Sequence, residues 1–166
     1  MRILELFSGT GSIGDAFTNG GWDVTSLDAS KKGSATICCD ILLWDYKAYE
    51  SGYFDAIWAS PVSTHYSAAR TNAKTPRDFE WADSLVLKTL EIIEYFNPPV
   101  WYIENPQSGL LKTRPFMENK STPMLIIVAI PIGDTGSGPE SGPTPTCRES
   151  CVWGAGGVRI WRGGGT

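Results

Sequence analysis

The stretch Ile3-Leu4-Glu5-Leu6-Phe7-Ser8-Gly9-Thr10-Gly11-Ser12-Ile13-Gly14 decides the fold. A short apolar run ends in glycines with the spacing G-x-G-x-x-G, and helix-like sequence follows from Asp15 to Asn19. This arrangement is typical of a strand that turns tightly into a helix, and its glycines let a nucleotide lie close to the main chain. An ordinary glycine turn is the alternative, since the motif alone is a weak signal. Its position after an apolar strand, at the start of an alternating strand–helix chain, favours a nucleotide site.

The charges beside the turn distinguish two kinds of nucleotide ligand. A dinucleotide-binding turn holds a pyrophosphate at a helix N-terminus, where neighbouring carboxylates would repel it. Here Glu5 precedes the turn and Asp15 follows it. S-adenosylmethionine has no phosphate and carries a sulfonium and an ammonium group. The acidic neighbours therefore favour this methyl donor over NAD.

Length and composition indicate a soluble domain with a substantial core. The chain has 166 residues, 42% of them hydrophobic, and its formal net charge of −4 gives no overall basic field that would indicate a nucleic-acid partner. No stretch resembles a signal peptide or approaches membrane-spanning length. The four cysteines and the single histidine lack the spacing of a metal site or a disulfide framework. We expect a cytoplasmic or nuclear protein with neither a bound metal nor a membrane partner.

The alternation of apolar segments with helical patterns predicts an α/β fold, a doubly wound and mostly parallel sheet. After the first strand, the strand candidates are Trp22–Leu27, Ile37–Cys39, Phe54–Ala59 and Val100–Ile103.

One long amphipathic helix precedes the last of these strands. Thr75-Pro76-Arg77-Asp78 has the pattern of a capping box with proline at the first helical position. Apolar residues from Phe79 to Phe96 then follow helical spacing, and Asn97-Pro98-Pro99 ends the helix. Earlier in the chain, Asp45 and Tyr46 are expected on an exposed connection.

Polar residues follow four of the predicted strands, at the edge where open parallel sheets bind ligands. Asp28 is placed to accept hydrogen bonds from ribose hydroxyls, with a turn or cap role as its alternative, and Asp40 could contact an adenine amino group. The fourth strand leads into the loop Ser60–Ser67 and the fifth into Glu104-Asn105-Pro106. The two loops converge, so that a hydroxyl nucleophile candidate meets a carboxylate.

A basic segment follows the Ser60 loop. Arg70, Lys74 and Arg77 stand among small and polar residues. A loop that contacts a phosphate backbone has this composition, and a solvated surface loop fits it equally well.

Taken together, in this order and at this spacing, these motifs resemble those of the DNA cytosine-5 methyltransferases. The resemblance is greatest to short viral or phage-like members with SPPC and ENP signatures. The resemblance covers roughly residues 2–116 and rests on ELFSGTGSIG, the two aspartates, SPVSTHYS and ENP. It implies S-adenosylmethionine above the glycine turn, with the ribose held by Asp28 and the adenine by Asp40. The cofactor-binding residues that it implies are Phe7, Gly9, Gly11, Gly14, Asp28, Asp40 and Pro61.

The resemblance also implies a chemistry for the two converging loops. In this family a cytosine flipped out of DNA lies between them. A cysteine thiolate attacks C6 of the base, a glutamate engages N3, and C5 accepts the methyl group. Glu104 matches that glutamate, with Asn105 and Pro106 shaping its loop.

The chain departs from the family at the nucleophile, where Val62 and Ser63 replace proline and cysteine. A thiol with a pKa of about 8.5 supplies thiolate at neutral pH, whereas a serine hydroxyl needs an adjacent base. His65 is near in sequence, and its pairing with Ser63 stays open. We expect a protein that binds its cofactor and transfers methyl groups poorly or not at all. The alternatives are a non-catalytic cofactor- or DNA-binding remnant and, further off, an NAD-binding Rossmann protein.

The C-terminal segment loses the strand–helix alternation. The sequence predicts a methyltransferase-like domain over residues 1–123 and an irregular Gly/Pro-rich tail over 124–166. Back-translated one base out of frame, Leu125–Ile132 and Ser137–Thr146 can encode family-like stretches, so we hypothesise a frameshift product. A coding sequence in which no single insertion or deletion near the Met124 codon restores such stretches would refute the hypothesis. With such a tail, the sequence alone favours a site that no substitution restores, because the open sheet edge leaves the glutamate loop unsupported.

Overall fold

The computed structural model describes residues 1–67, 75–106 and 108–117. Five strands form one parallel sheet in the order β3-β2-β1-β4-β5. The strands are β1 (Arg2–Leu6), β2 (Asp23–Asp28), β3 (Ile37–Cys38), β4 (Ala56–Ala59) and β5 (Val100–Ile103), and the helices are α1 (Ser12–Asn19) and α2 (Phe79–Phe96). The predicted α/β fold with a doubly wound parallel sheet is confirmed.

Strand β1 lies at the centre of the sheet, and its side chains are buried on both faces. It pairs with β2 on one side and β4 on the other, with Leu6 opposite both Leu27 and Ala59. From β1 the chain moves outward through β2 and β3, then returns to β4 and β5 on the other side. The order reverses beside β1, and the carboxyl ends of strands at such a point are where open α/β sheets bind ligands.

Alternate residues of β1 serve two separate cores, as expected for side chains that point to opposite faces of a strand. Leu4 and Leu6 belong to a large core with the buried face of α2. Ile3 belongs to a smaller one with Ala56 and Trp58, against which residues of α1 pack. The two helices therefore cover opposite faces of the sheet.

Helix α2 begins later than the sequence predicts. The N-cap is Asp78, whose carboxylate accepts a 2.9 Å hydrogen bond from the Trp81 amide. The predicted capping box with Pro76 inside the helix is therefore wrong. Asp78, the last residue of the predicted box, caps the helix instead, because its carboxylate accepts the hydrogen bond of an amide in the first turn. The helix ends as predicted at Asn97, which has a left-handed conformation with φ 44°.

The connection between β3 and β4 is more buried than the sequence predicts. Asp45 is exposed, but Tyr46 is only 4% exposed and its hydroxyl donates a 2.5 Å hydrogen bond to Glu91 on α2. Its ring contacts the rings of Tyr95 and Phe96 edge-on. The expectation for Tyr46 was wrong, because an aromatic ring with a polar tip can fill the core and still satisfy its hydroxyl.

Several predictions from the sequence fall on residues outside the described ranges. They include the boundary at residues 123 and 124, the tail that follows it, and the basic residues Arg70 and Lys74. Within the described ranges, no helix has the length and apolar character needed to cross a membrane.

Candidate active site at the carboxyl ends of the strands

The turn between β1 and α1 is fixed by a carboxylate from the neighbouring strand. Asp28, at the end of β2, accepts a 2.8 Å hydrogen bond from the Gly9 amide and a 2.7 Å bond from the Ser30 amide. At the start of the turn, Phe7 has a φ of 61°. A left-handed aromatic residue is strained, and such residues concentrate at functional sites where the surrounding structure enforces them.

Beneath the turn lies a buried acid. Glu5 is 3% exposed, and a Cβ atom added to Gly14 would lie 2.6 Å from its Oε2 atom. A side chain at position 14 would thus press on the Glu5 carboxyl, which would have to shift, and a direct cofactor contact of Gly14 stays a prediction. Burial raises the pKa of Glu5 from 4.5 to about 7, with smaller increases from Asp15 and Asp28, against a lowering by a hydrogen bond from the Gly14 backbone.

A cavity of about 260 Å³ opens beside the turn. Of the predicted cofactor residues, Phe7, Asp28 and Asp40 line it, whereas Gly9, Gly11, Gly14 and Pro61 do not. The remaining lining is mostly apolar and comes from Leu27, Ala29, Cys39, Ile41, Ser60, Val62, Trp81 and Leu85. The sequence analysis missed Trp81 and Leu85 on α2; the signal was a large aromatic residue in the first turn of an amphipathic helix.

The chemistry of this lining fits S-adenosylmethionine. Asp40 uses one oxygen, Oδ1, to accept a 2.9 Å hydrogen bond from the Leu42 amide. Because each carboxylate oxygen can accept two hydrogen bonds, Asp28 and Asp40 retain capacity for hydroxyl or amino donors. Apolar walls suit an adenine ring, and two carboxylates suit a ligand with positive charge while opposing a pyrophosphate.

The loop after β4 carries Ser63, the residue that the sequence predicts in the nucleophile position. Ser63 is half-buried, and its carbonyl accepts a 3.0 Å hydrogen bond from the Tyr66 amide. Val62, the preceding residue, lines the cavity, whereas Ser63 itself does not.

His65 is engaged with helix α2. Its Nδ1 atom accepts a 2.7 Å hydrogen bond from the Asp78 amide, and its ring meets Trp81 edge-on. A neutral imidazole that accepts at Nδ1 carries its proton on Nε2, which then donates. This tautomer provides no base for Ser63, so the hydrogen bond argues against the Ser63–His65 pairing that the sequence left open.

The loop after β5 is joined to the Ser63 loop by one buried amide. Asn105 is 1% exposed, and its Nδ2 atom donates a 3.3 Å hydrogen bond to the carbonyl of Pro61. Glu104 precedes it, and the Glu104 amide donates to the Ala59 carbonyl at the end of β4. The predicted convergence of the two loops is therefore present, with Asn105 as the connecting residue.

Two buried oxygens of this loop lack hydrogen-bond partners among the described residues, Oε1 of Glu104 and Oδ1 of Asn105. Desolvation by burial raises the pKa of Glu104. A carboxyl group with a raised pKa keeps its proton to a higher pH than usual, and in the protonated form it can donate a hydrogen bond to a ligand.

A glycine that the sequence analysis missed permits this arrangement. A Cβ atom on Gly109 would lie 2.9 Å from the Pro106 carbonyl oxygen and 3.4 Å from Oδ1 of Asn105. A side chain there would displace the loop that carries Glu104 and Asn105. Its only signal in the sequence is its position shortly after the Glu104-Asn105-Pro106 tripeptide.

Comparison with known proteins identifies the family of the chain through one viral relative. No model of a known protein family matches the chain. Over 124 residues the chain is 34% identical to a protein of Frog virus 3 (isolate Goorha) described as "Probable DNA (cytosine-5)-methyltransferase", and the alignment covers 68% of this chain. The chain belongs to the DNA cytosine-5 methyltransferase family. It spans 56% of the length of that viral methyltransferase.

Arg77, one of the predicted DNA-binding residues, contacts the loop after β4. Its Nη1 atom donates a 2.9 Å hydrogen bond to the His65 carbonyl, so the guanidinium helps to hold this loop. A DNA contact of Arg77 stays a prediction. Within the described ranges, no group of three or more His, Cys, Asp or Glu residues has the arrangement of a metal site.

The buried acid gives the first prediction, Glu5→Gln. Because the pKa of Glu5 in the folded protein is raised from 4.5 to about 7, its contribution to stability is complete below pH 4.5 and is lost as pH rises through 7. The loss amounts to about 3 kcal/mol. Glutamine cannot ionise, so Glu5→Gln should lose less stability than the unmodified chain between pH 5 and pH 8 in urea unfolding. Glu104 also has a raised pKa, but it is present in both proteins. Its contribution to the pH dependence of stability therefore cancels when the two proteins are compared.

The control for Glu5→Gln is Asp23→Asn, which removes an exposed carboxylate from β2. It should keep the pH slope of the unmodified chain. Parallel slopes for Glu5→Gln and the unmodified chain would contradict the buried-acid interpretation.

Proposed function

We propose that this chain binds S-adenosylmethionine and a cytosine of DNA, and that its methyl transfer is impaired because Ser63 stands in the nucleophile position. The observation that carries the proposal is the hydrogen bond from Asn105 to the Pro61 carbonyl, which joins the Ser63 loop to the Glu104 loop. Val62 of the first loop lines the cavity of Phe7, Asp28 and Asp40. A methyl donor in that cavity would lie beside a base held between the loops.

The cavity residues divide the work of holding the cofactor. Asp28 and Asp40 would accept hydrogen bonds from its ribose hydroxyls and adenine amino group, and Phe7 would pack against an apolar surface of the ligand. When bound, S-adenosylmethionine supplies an electrophilic methyl group. The carboxylates of Asp28 and Asp40 favour its positive charge and disfavour NAD, which brings two phosphates to such a turn. Glu5 beneath the turn contributes less negative charge near pH 7, because burial raises its pKa to about 7.

Glu104 would recognise and activate the base. Cytosine presents an acceptor at N3 and a donor at its exocyclic amino group, and a protonated carboxyl group offers one donor and one acceptor. The raised pKa of Glu104 supports the protonated form, and its unpartnered Oε1 supports a role toward a ligand. Donation of a proton to N3 makes C6 more electrophilic, which is the step that a nucleophile at position 63 requires.

Ser63 is the reason for the proposed impairment. An alcohol supplies almost no alkoxide at neutral pH, so serine nucleophiles depend on an adjacent base. The adjacent imidazole accepts a hydrogen bond at Nδ1 from the Asp78 amide, which leaves Nε2 as a donor in the neutral ring. The chain can therefore hold cofactor and base with little attack at C6. A phosphate-contacting role for Arg70, Lys74 and Arg77 rests on their charge alone.

A non-catalytic protein that binds cofactor or DNA is the second candidate, and the same serine favours it. The two candidates differ in whether the rest of the site is intact. From the sequence, an unsupported sheet edge favoured a site that no substitution restores. The contacts of Asn105 with Pro61 and of His65 with Asp78 support the loops from within the described residues, so we now favour an intact site that lacks its nucleophile.

The prediction that tests this proposal is Ser63→Cys. A thiol at this position supplies thiolate at neutral pH and should raise tritiated-methyl transfer to mixed-sequence DNA by a factor on the order of a hundred or more over the unmodified chain. Adding Val62→Pro should raise it further, because proline limits the conformations of the loop. Ser63→Cys combined with Glu104→Gln is the matched control and should return transfer to the background, since glutamine cannot give a proton to N3.

If Ser63→Cys binds S-adenosylmethionine but transfers no methyl groups, the non-catalytic alternative is correct. Equal transfer with and without Glu104→Gln would remove the glutamate from the proposed chemistry.

A further inference from the structure

The Ser63 loop, helix α2 and the segment that follows Glu104 meet at a single carboxylate. Asp83 projects from the second turn of α2, and its side chain is only 14% exposed. It accepts hydrogen bonds from Tyr66 on one side and from Arg114 on the other.

Tyr66 connects Asp83 to the nucleophile loop. Its hydroxyl donates a 2.7 Å hydrogen bond to Oδ1 of Asp83, and its side chain is fully buried. Its amide donates to the carbonyl of Ser63 over 3.0 Å. The ring and the amide of one residue therefore link the position of Ser63 to helix α2.

Arg114 connects Asp83 to the other loop. Its Nε atom lies 3.0 Å from both carboxylate oxygens, and its Nη2 atom donates to Oδ2 in a charge-assisted fork. Arg114 follows the turn whose Leu110 amide donates a 2.8 Å bond to the Tyr66 carbonyl. The segment after Glu104 is thus bound both to Tyr66 and to the carboxylate that Tyr66 contacts.

In sequence, Asp83 also lies between Trp81 and Leu85, the two α2 residues that line the cavity. A shift of this part of the helix would move the cavity wall and both loops together. We propose that Asp83 is a positioning residue that sets the nucleophile loop and the Glu104 loop against each other, acting through Tyr66 and Arg114. This proposal rests on the proposed function in taking Ser63 and Glu104 as the reacting positions.

The same helix offers a matched control. Tyr46 is buried, and its hydroxyl donates a 2.5 Å hydrogen bond to Glu91, a carboxylate of α2 that is paired with Lys88. This group has the same chemistry as Tyr66, Asp83 and Arg114, but Glu91 lies eight positions further along the helix. Tyr66→Phe and Tyr46→Phe each remove one buried hydroxyl and should lower the melting temperature by similar amounts.

The experiment uses the full chain carrying Ser63→Cys, with Tyr66→Phe, Asp83→Asn or Tyr46→Phe added singly. Each protein is treated with iodoacetamide well below its melting temperature, and alkylation at position 63 and at Cys38 is followed by peptide mass spectrometry. Loss of one anchoring hydrogen bond should raise the alkylation rate at position 63 about fivefold in Tyr66→Phe, and at least as much in Asp83→Asn. Cys38, an exposed thiol on β3, is the internal reference and should keep its rate.

Methyl transfer supplies the second readout. In the Ser63→Cys protein, Tyr66→Phe and Asp83→Asn should lower kcat by on the order of tenfold, since small misplacements of reacting groups are costly. The KM for S-adenosylmethionine should stay within about twofold, because Asp28 and Asp40 still line the cavity. Tyr46→Phe should change neither quantity.

Equal alkylation rates at position 63 in Tyr66→Phe and Tyr46→Phe, with similar losses of melting temperature, would overturn the proposal and leave Asp83 a purely structural residue. If the Ser63→Cys protein transfers no methyl groups, the proposed function fails while alkylation still decides the positioning role. A fivefold increase confined to Tyr66→Phe and Asp83→Asn would then support it on its own.

Discussion

The hydrogen bond from the Gly9 amide to the Asp28 carboxylate joins the glycine turn to the end of the neighbouring strand. It fixes the turn that leads from the central strand β1 into α1, with the Glu5 carboxyl packed beneath it against Gly14. The same carboxylate lines the cavity. Because one group both shapes the turn and lines the cavity, we expect folding and ligand binding to depend on each other at Asp28.

The candidate site has two halves, which lie on either side of the point where the strand order reverses, beside β1. The carboxyl ends of β1, β2 and β3 supply Phe7, Asp28 and Asp40, whose cavity suits a cationic nucleoside. The loops after β4 and β5 carry Ser63 and Glu104, and the hydrogen bond from Asn105 to the Pro61 carbonyl joins these two loops. Helix α2 serves both halves through the cavity wall and the contacts of Asp83. Under the proposed function, a change at position 63 would therefore leave the residues that line the cavity in place.

The sequence predicted what depends on local pattern. Apolar runs followed by acidic residues gave the parallel strands and the placement of Asp28 and Asp40, and the Glu104 loop followed from its position after a strand. Contacts between distant positions could not be predicted in this way. The bonds of Asp83 to Tyr66 and Arg114 depend on how α2 rotates against the sheet, and the burial of Tyr46 depends on which aromatic rings surround it. Asp78 replaced the predicted cap because several residues before a helix have suitable side chains, and tertiary contacts select among them.

The central claim is that the acidic turn and cavity bind a positively charged nucleoside and reject a dinucleotide. Isothermal titration calorimetry of the full chain with S-adenosylmethionine, and separately with NADH, tests it most directly. The account predicts saturable binding of S-adenosylmethionine at one site, weakened at least tenfold by replacing Asp28 with asparagine, and no binding of NADH at the same concentrations. Binding of NADH with equal or higher affinity, or an unchanged affinity for S-adenosylmethionine in the Asp28→Asn protein, would contradict it.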